Sequence, residues 1–347
     1  MHFWRHLWTS TPVMIVWLGL APLASAVEVA DSKAVVLLLD KMRASDLAAP
    51  ASGQTVYAID GEQHTIVALD PFEPGKRWTA ISHTSENPTD KDRPAEKAAI
   101  PIAIGCVDSG TLAIVYRSGD EWFLRTQRLS PPGRTADPAP QQTIALGIAT
   151  GSAEGVRVAV SHSRNWLVVT GLPEPLPAVV RVPIAGSRLG AVTTRNCPRP
   201  LPPLRPSAAT VSGTDELVLF MTPPAAELAH SIFVSFYSPL NSLPLLRIET
   251  GLESIRDAAF CRSNDTLWVI AGEPGSQTCP EGIWRLDATI EHARQAVRAT
   301  CVAQIAAAKS LVCLSDKAII VACTGARPQI VRIDQTPPVL RALNVLP

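Results

Sequence analysis

The sequence predicts an all-β chain folded as a six-bladed β-propeller of four-stranded antiparallel sheets. Two observations lead there. Short apolar runs rich in Val and Ile, bounded by Gly, Pro, Asn or Asp, recur along the chain with almost no helical periodicity, which is the pattern of strands. One hairpin arrangement also returns six times at a nearly constant interval, and a repeat near fifty residues is the length of a four-stranded blade.

The six hairpins read SGQTVYAID (52–60), DSGTLAIVY (108–116), HSRNWLVVT (162–170), SGTDELVLF (212–220), RSNDTLWVI (262–270) and LSDKAIIVA (314–322). Each is a polar turn followed by an apolar second strand, and aligning these strands puts Val56, Leu112, Leu167, Leu217, Leu267 and Ile319 in one column. The steps between them are 56, 55, 50, 50 and 52 residues. Third strands follow at Thr65–Asp70, Trp122–Arg128, Val179–Ile184, Ile232–Tyr237, Ile283–Asp287 and Ile330–Asp334. Fainter fourth strands are expected at Arg77–Ile81, Thr143–Ile148, Ala191–Thr194, Leu245–Glu249, Val297–Val302 and Val339–Val345.

A single four-stranded unit would leave two faces and both edges exposed, so a closed ring is the physical way to cover them. The segments before the turns carry small residues, among them Ala48, Ala103, Gly105, Ala159, Ala208, Ala209 and Ala258, as expected where inner strands converge on an axis. The spacers 82–98, 130–140, 197–206 and 272–281 are polar or rich in Pro and Gly and read as loops. Ile290–Ala299 is expected to form a short helix, and the leftover run Ala34–Leu39 a strand that helps to close the ring.

Composition narrows the partners. Lys plus Arg and Asp plus Glu are both 31, so no net field favours nucleic acid or an anionic membrane. The N-terminus carries Arg5, an apolar run Val13–Leu20 and Ala24-Ser25-Ala26, the arrangement of a cleaved signal peptide over 1–26. That leaves 27–347 as one propeller domain, secreted or periplasmic, with no membrane span in the mature chain. Seven cysteines suit an oxidising compartment, although their number is odd and no zinc spacing occurs. Strand direction puts Cys106, Cys261 and Cys313 towards one face and Cys279, Cys301 and Cys323 towards the other, which makes Cys279–Cys301 the preferred disulfide.

The stretch TVYAIDGEQHTIVALDP (55–71), with echoes at Ile330–Asp334 and Ile283–Asp287, resembles the repeat of bacterial YVTN-type propellers. The resemblance implies a ring with a central channel and loops at both ends, and no single activity. Such propellers commonly have seven blades, so seven is the alternative count.

No nucleophile-elbow, phosphate-loop, dinucleotide, zinc-protease or calcium-loop motif is present, and no cofactor or metal is expected. One column is suggestive: ten residues before the second-strand column stand Asp46, Ile102, Arg157, Ser207, Asp257 and Lys309. Five of these six are polar. Equivalent positions in a closed repeat share one height around the axis, so Asp46, Arg157, Ser207, Asp257 and Lys309 are candidates to ring one channel mouth and hold a polar ligand. The competing expectation is ordinary ion pairs between blades. Scattered histidines, including His64 and His162, share no column, and Trp122, Trp166, Trp268 and Trp284 read as core. The sequence therefore suggests an exported, non-enzymatic binding or interaction module whose partner is a protein or a small polar ligand. The alternative is a metal-assisted propeller hydrolase such as a lactonase or esterase-like enzyme, and whether the chain is an enzyme stays open at this point.

Overall fold

The computed structural model describes residues 35–334, apart from 82–98, 130–141, 187, 195–196, 199–204, 223–231, 239–242, 244–245, 262–265, 292–293 and 316–317. The leader expected at 1–26 and the strand expected at Val339–Val345 lie outside the described residues.

Among the described residues twenty-four strands form six four-stranded antiparallel sheets, so the ring has six blades and not seven. The first strand, β1 (Val35–Asp40), stands apart from the repeat. Blade one is β2 (Ala44–Ala48), β3 (Val56–Asp60), β4 (Thr65–Leu69) and β5 (Arg77–Ile81). Blade two is β6 (Ile100–Asp108), β7 (Thr111–Ser118), β8 (Glu121–Arg128) and β9 (Gln142–Ile148). Blade three is β10 (Arg157–Val160), β11 (Trp166–Thr170), β12 (Val179–Ala185) and β13 (Arg188–Leu189). Blade four is β14 (Arg205–Val211), β15 (Leu217–Thr222), β16 (Phe233–Tyr237) and β17 (Leu246–Glu249). Blade five is β18 (Asp257–Cys261), β19 (Thr266–Ala271), β20 (Gly282–Glu291) and β21 (Arg294–Gln304). Blade six is β22 (Ala308–Ser315), β23 (Ala318–Cys323) and β24 (Gln329–Asp334).

Blade six takes its fourth strand from the other end of the chain. β1 pairs antiparallel with β24, Val36 opposite Arg332 and Leu39 opposite Ile330, so the expected extra strand is the outer strand of the last blade. Leu38 and Leu39 are buried there, which ties the two ends of the described chain together through apolar contact as well as the ladder.

Burial follows position within a blade. The second strands β3, β11 and β23 are buried at every residue, because their two faces meet the neighbouring blades on either side. Outer strands such as β9 alternate between exposed and half-buried. Six core clusters fill the six gaps between blades. Each column residue from Val56 to Ile319 belongs to a different cluster, and each faces the preceding blade. Trp122, Trp166, Trp268 and Trp284 are core residues.

Two local expectations are corrected. The described residues of 290–299 are not helical: β20 runs to Glu291 and β21 starts at Arg294, paired antiparallel with Ile290 opposite Gln295. Ladder hydrogen bonds to β20 override the helix-forming Ala, Arg and Glu of this run. The outer strand of blade three is Arg188–Leu189, with Thr193 reaching Arg181 only through an isolated bridge.

Candidate functional site: an axial chamber with a polar floor

The inner strands β2, β6, β10, β14, β18 and β22 line a chamber of about 270 Å³ on the propeller axis. Its walls are short side chains and backbone, including Ala48, Gly105, Ala159, Ala209 and Ala259. Small residues are required at this radius: a Cβ added to Gly105 would lie 2.7 Å from Val158 Cγ1. At the end where the inner strands begin, the chamber is floored by Asp46, Arg157 and Asp257.

These three side chains, from blades one, three and five, converge and are buried. Arg157 Nε donates to Asp257 Oδ1 at 2.9 Å, Nη1 to the carbonyl of Val156 at 2.9 Å and Nη2 to the carbonyl of Arg256 at 3.0 Å. The arginine therefore reaches across the axis from blade three to blade five and closes this end of the channel. Burial works against its charge, but Asp257 and then Asp46 more than offset that, and its pKa moves up.

Ser310 completes the floor. Its hydroxyl lies 3.0 Å from Asp46 Oδ1 and 2.8 Å from Asp257 Oδ2, and it accepts the N–H of Leu47 at 3.1 Å. A hydroxyl has one hydrogen to give. Both carboxyl contacts are hydrogen bonds only when one carboxyl carries its own proton. Asp46 is the group suited to carry it: burial pushes its pKa up to about 6 against the pull of Arg157, with Asp257 adding to the rise and the bonds from Ile104 and Ser310 opposing it. The protonated floor then reads Asp46 to Ser310 to Asp257, with Arg157 neutralising the last.

The other column members lie elsewhere. Lys309 sends its ammonium outwards to Glu154, 3.1 Å away, above the buried floor, and only its carbonyl approaches Arg157. It also borders an open surface depression with Arg43 and Ser45. Ser207 turns to the carbonyl of Phe220. The ladder explains the split. Asp46, Arg157 and Asp257 pair with Ile59, Thr170 and Ile270, each three residues beyond the second-strand column. In blades two, four and six the residues that pair at this height are Ala103, Ala208 and Ser310, because the hairpin there is one residue shorter: Val160 and Phe260 pair with column residues seven positions on, whereas Cys106, Val211 and Cys313 pair with theirs six on. A fixed ten-residue offset thus overshoots by one in alternate blades. The bulge takes Lys309 out of the ladder, and the shorter hairpin conceals Ser310.

No family model matches the chain, and no curated protein matches it. Solved structures do. Over 87% of this chain and 98% of its own, the PQQ-bound aldose sugar dehydrogenase of Streptomyces coelicolor superposes with a TM-score of 0.55 at 11% identity. A glucose dehydrogenase gives 0.57 at 11% identity over 88% of this chain and 100% of its own, and a second glucose dehydrogenase gives 0.55 at 11% identity over 87% and 100%. At such identity the likeness is one of fold.

Among the described residues no disulfide joins the cysteines. Cys279 and Cys301, the pair expected to bond, are both buried in the cluster between blades four and five. Burial pushes the Cys279 thiol up to about 11, and a nearby Cys301 adds to the rise. His64 and His162 sit in exposed turns away from the chamber.

Proposed function

We propose that the axial chamber is the working site and that the protein is an enzyme acting on a small polar molecule held against the Asp46–Ser310–Asp257–Arg157 floor. The observation that carries this reading is the carboxyl of Asp46. It lines the chamber, it is held in one geometry by the Ile104 N–H at 2.9 Å and by Ser310, and burial poises it to exchange a proton near neutrality. The sugar dehydrogenases among the structural neighbours support an enzymatic use of the fold over a purely structural one. The chamber does not fit the PQQ of one of them: that cofactor is a tricarboxylate, and the charged lining is Asp46, Asp257 and Arg157, whose cation Asp257 already engages. Among the described residues no group of three or more His, Cys, Asp or Glu is placed to hold a metal ion. The chemistry that these residues themselves supply is proton transfer.

A second reading, the exported non-enzymatic binding module, draws on a different feature. The floor groups satisfy one another, which is how a rigid scaffold is built. Turnover separates the two. Purified protein is assayed with a panel of aldoses and sugar lactones, alongside calorimetric binding of the same compounds. Enzymatic use predicts turnover that Asp46→Asn abolishes while binding persists. Binding with no turnover by the wild type supports the module, and neither binding nor turnover overturns both. Export is part of either reading, on the strength of the leader-like residues 1–26.

A further inference from the structure

The inner strands are edge strands, so alternate backbone N–H and C=O groups point from them towards the axis. Around part of the ring these N–H groups are taken by the side chain one blade back. Asp46 of blade one accepts from Ile104 of blade two at 2.9 Å, Asp257 of blade five accepts from Leu311 of blade six at 2.8 Å, and Ser310 of blade six accepts from Leu47 of blade one at 3.1 Å. These are one repeated stitch. The acceptor always sits at the height of Asp46 in the ladder, and the donor is the next position along in the following blade.

At this height the stitch is missing over three consecutive blades, although two positions further along Thr210 of blade four accepts from the N–H of Phe260 of blade five at 3.2 Å. At the acceptor height blades two and four carry Ala103 and Ala208, which have no side-chain oxygen, and blade three carries Arg157, which is a donor. By register, the N–H groups left facing the chamber are those of Val158, Ala209 and Ala258, and all three residues line it. Each of these positions also directs its carbonyl to the same side of the strand. Beyond the paired Arg157 and Asp257 of the floor, this half of the chamber is thus a wall of uncharged backbone donors and acceptors, opposite the blade that carries Asp46.

We propose that blades three to five form the recognition half of the chamber, in which the backbone at Val158, Ala209 and Ala258 binds the hydroxyl or carbonyl oxygens of a neutral, hydroxyl-rich small molecule. This rests on the chamber being the working site, and it adds the class of ligand and the side from which it is held. An anion is disfavoured, because Asp46 and Asp257 share the chamber and its cation is engaged. Neutral oxygens that both donate and accept match a backbone wall on each count. The chamber volume, near the lower end of ligand pockets, suits a molecule of one ring.

The test closes the stitch without touching the floor. Ala103→Ser and Ala208→Ser each place a hydroxyl where Ser310 stands in blade six, next to the N–H of Val158 and of Ala258 respectively. Binding of glucose, glucono-1,5-lactone and succinate is measured by calorimetry on the wild type, both single variants and the double variant, with circular dichroism and thermal melts to show that each is folded. The expected result is wild-type binding of glucose or the lactone but not succinate, and affinity at least tenfold weaker in the folded double variant. The substitutions Ala103→Val and Ala208→Val, which add bulk without an oxygen, separate stitching from crowding: they should weaken binding less than the serine substitutions do. Wild-type binding that the serine substitutions leave unchanged, or preference for succinate, overturns this inference and leaves the chamber as a site. No binding of any of the three by the wild type overturns the inference together with the reading on which it rests.

Discussion

Replacing Arg157 by methionine should cost several times more stability than replacing Lys309 by methionine, although both residues occupy the same column of the repeat. Arg157 is 7% exposed, paired with Asp257 at 2.9 Å and bonded to two carbonyls. Methionine keeps much of the stem but leaves Asp257 as a buried charge without its partner, a loss worth about 3–5 kcal/mol. Lys309 meets Glu154 at 3.1 Å, but the glutamate side chain is 78% exposed. Such a pair contributes about 0–1 kcal/mol. Urea denaturation followed by tryptophan fluorescence reads both, since four tryptophans are core residues and the midpoint shifts in proportion to stability at constant slope. Combining Asp257→Asn with Arg157→Met should recover part of the loss by removing the stranded charge. Equal effects of the two methionine substitutions, or no recovery in the double variant, would refute the idea of a floor held together by a buried charge pair.

Three further outcomes are expected. Because the folded Asp46 carboxyl titrates near 6 and an unfolded one near 3.8, the folded chain holds a proton between these values that the unfolded chain has lost. Its contribution is most favourable at low pH and declines as pH rises through 6, by on the order of 3 kcal/mol in all; the stability difference between wild type and Asp46→Asn, followed from acid to neutral pH, should therefore move against the wild type as pH rises, and the opposite slope would be wrong for a raised carboxyl. Gly105→Ala should cost about 1–3 kcal/mol, because its methyl would meet Val158 Cγ1 and Val160 Cγ2 at the crowded axis, and a neutral result in a thermal melt would mean that the inner strands have room to spread. Expression with the full leader should give a mature chain beginning at Val27 by N-terminal sequencing, whereas an intact Met1 would count against cleavage.

Much of the fold was legible because it is written in a periodic signal. Second strands sandwiched between blades must be apolar on both faces, and the turns that precede them must be polar, so the column from Val56 to Ile319 stands out without any contact information. Closure was legible only in part. Ala34–Leu39 is visibly a spare strand, but its partner β24 lies at the far end of the described chain, and local pattern carries nothing about pairing at that separation. The run 290–299 misleads for a related reason: its residues favour a helix on their own, and only the ladder to β20 makes them a strand.

The site was legible at the level of residue type and not of register. Asp46, Arg157 and Asp257 stand out because charge at the start of an inner strand is unusual in an otherwise small-residue segment. Ser310 was missed because the hairpins of blades two, four and six are one residue shorter than those of blades one, three and five, so a fixed offset from the second strand lands one place too early there. A signal was available. In blades two and four the position after the expected one is Ala, as inner-strand crowding demands, and carrying that small-residue criterion to blade six selects Ser310 over the long side chain of Lys309. The direction of each side chain, inwards to the floor or outwards to Glu154, follows from that register and could not be read before it.

The central claim is that a small neutral molecule works inside the axial chamber against Asp46. The measurement that tests it most directly is a crystal structure of the Asp46→Asn variant grown with glucose or glucono-1,5-lactone at saturating concentration. The account predicts ligand density within the chamber, with oxygens in hydrogen-bond reach of the N–H groups of Ala209 and Ala258 on one side and of the residue-46 side chain on the other. Density for the ligand only among the outer loops, with the chamber holding solvent alone, would contradict it.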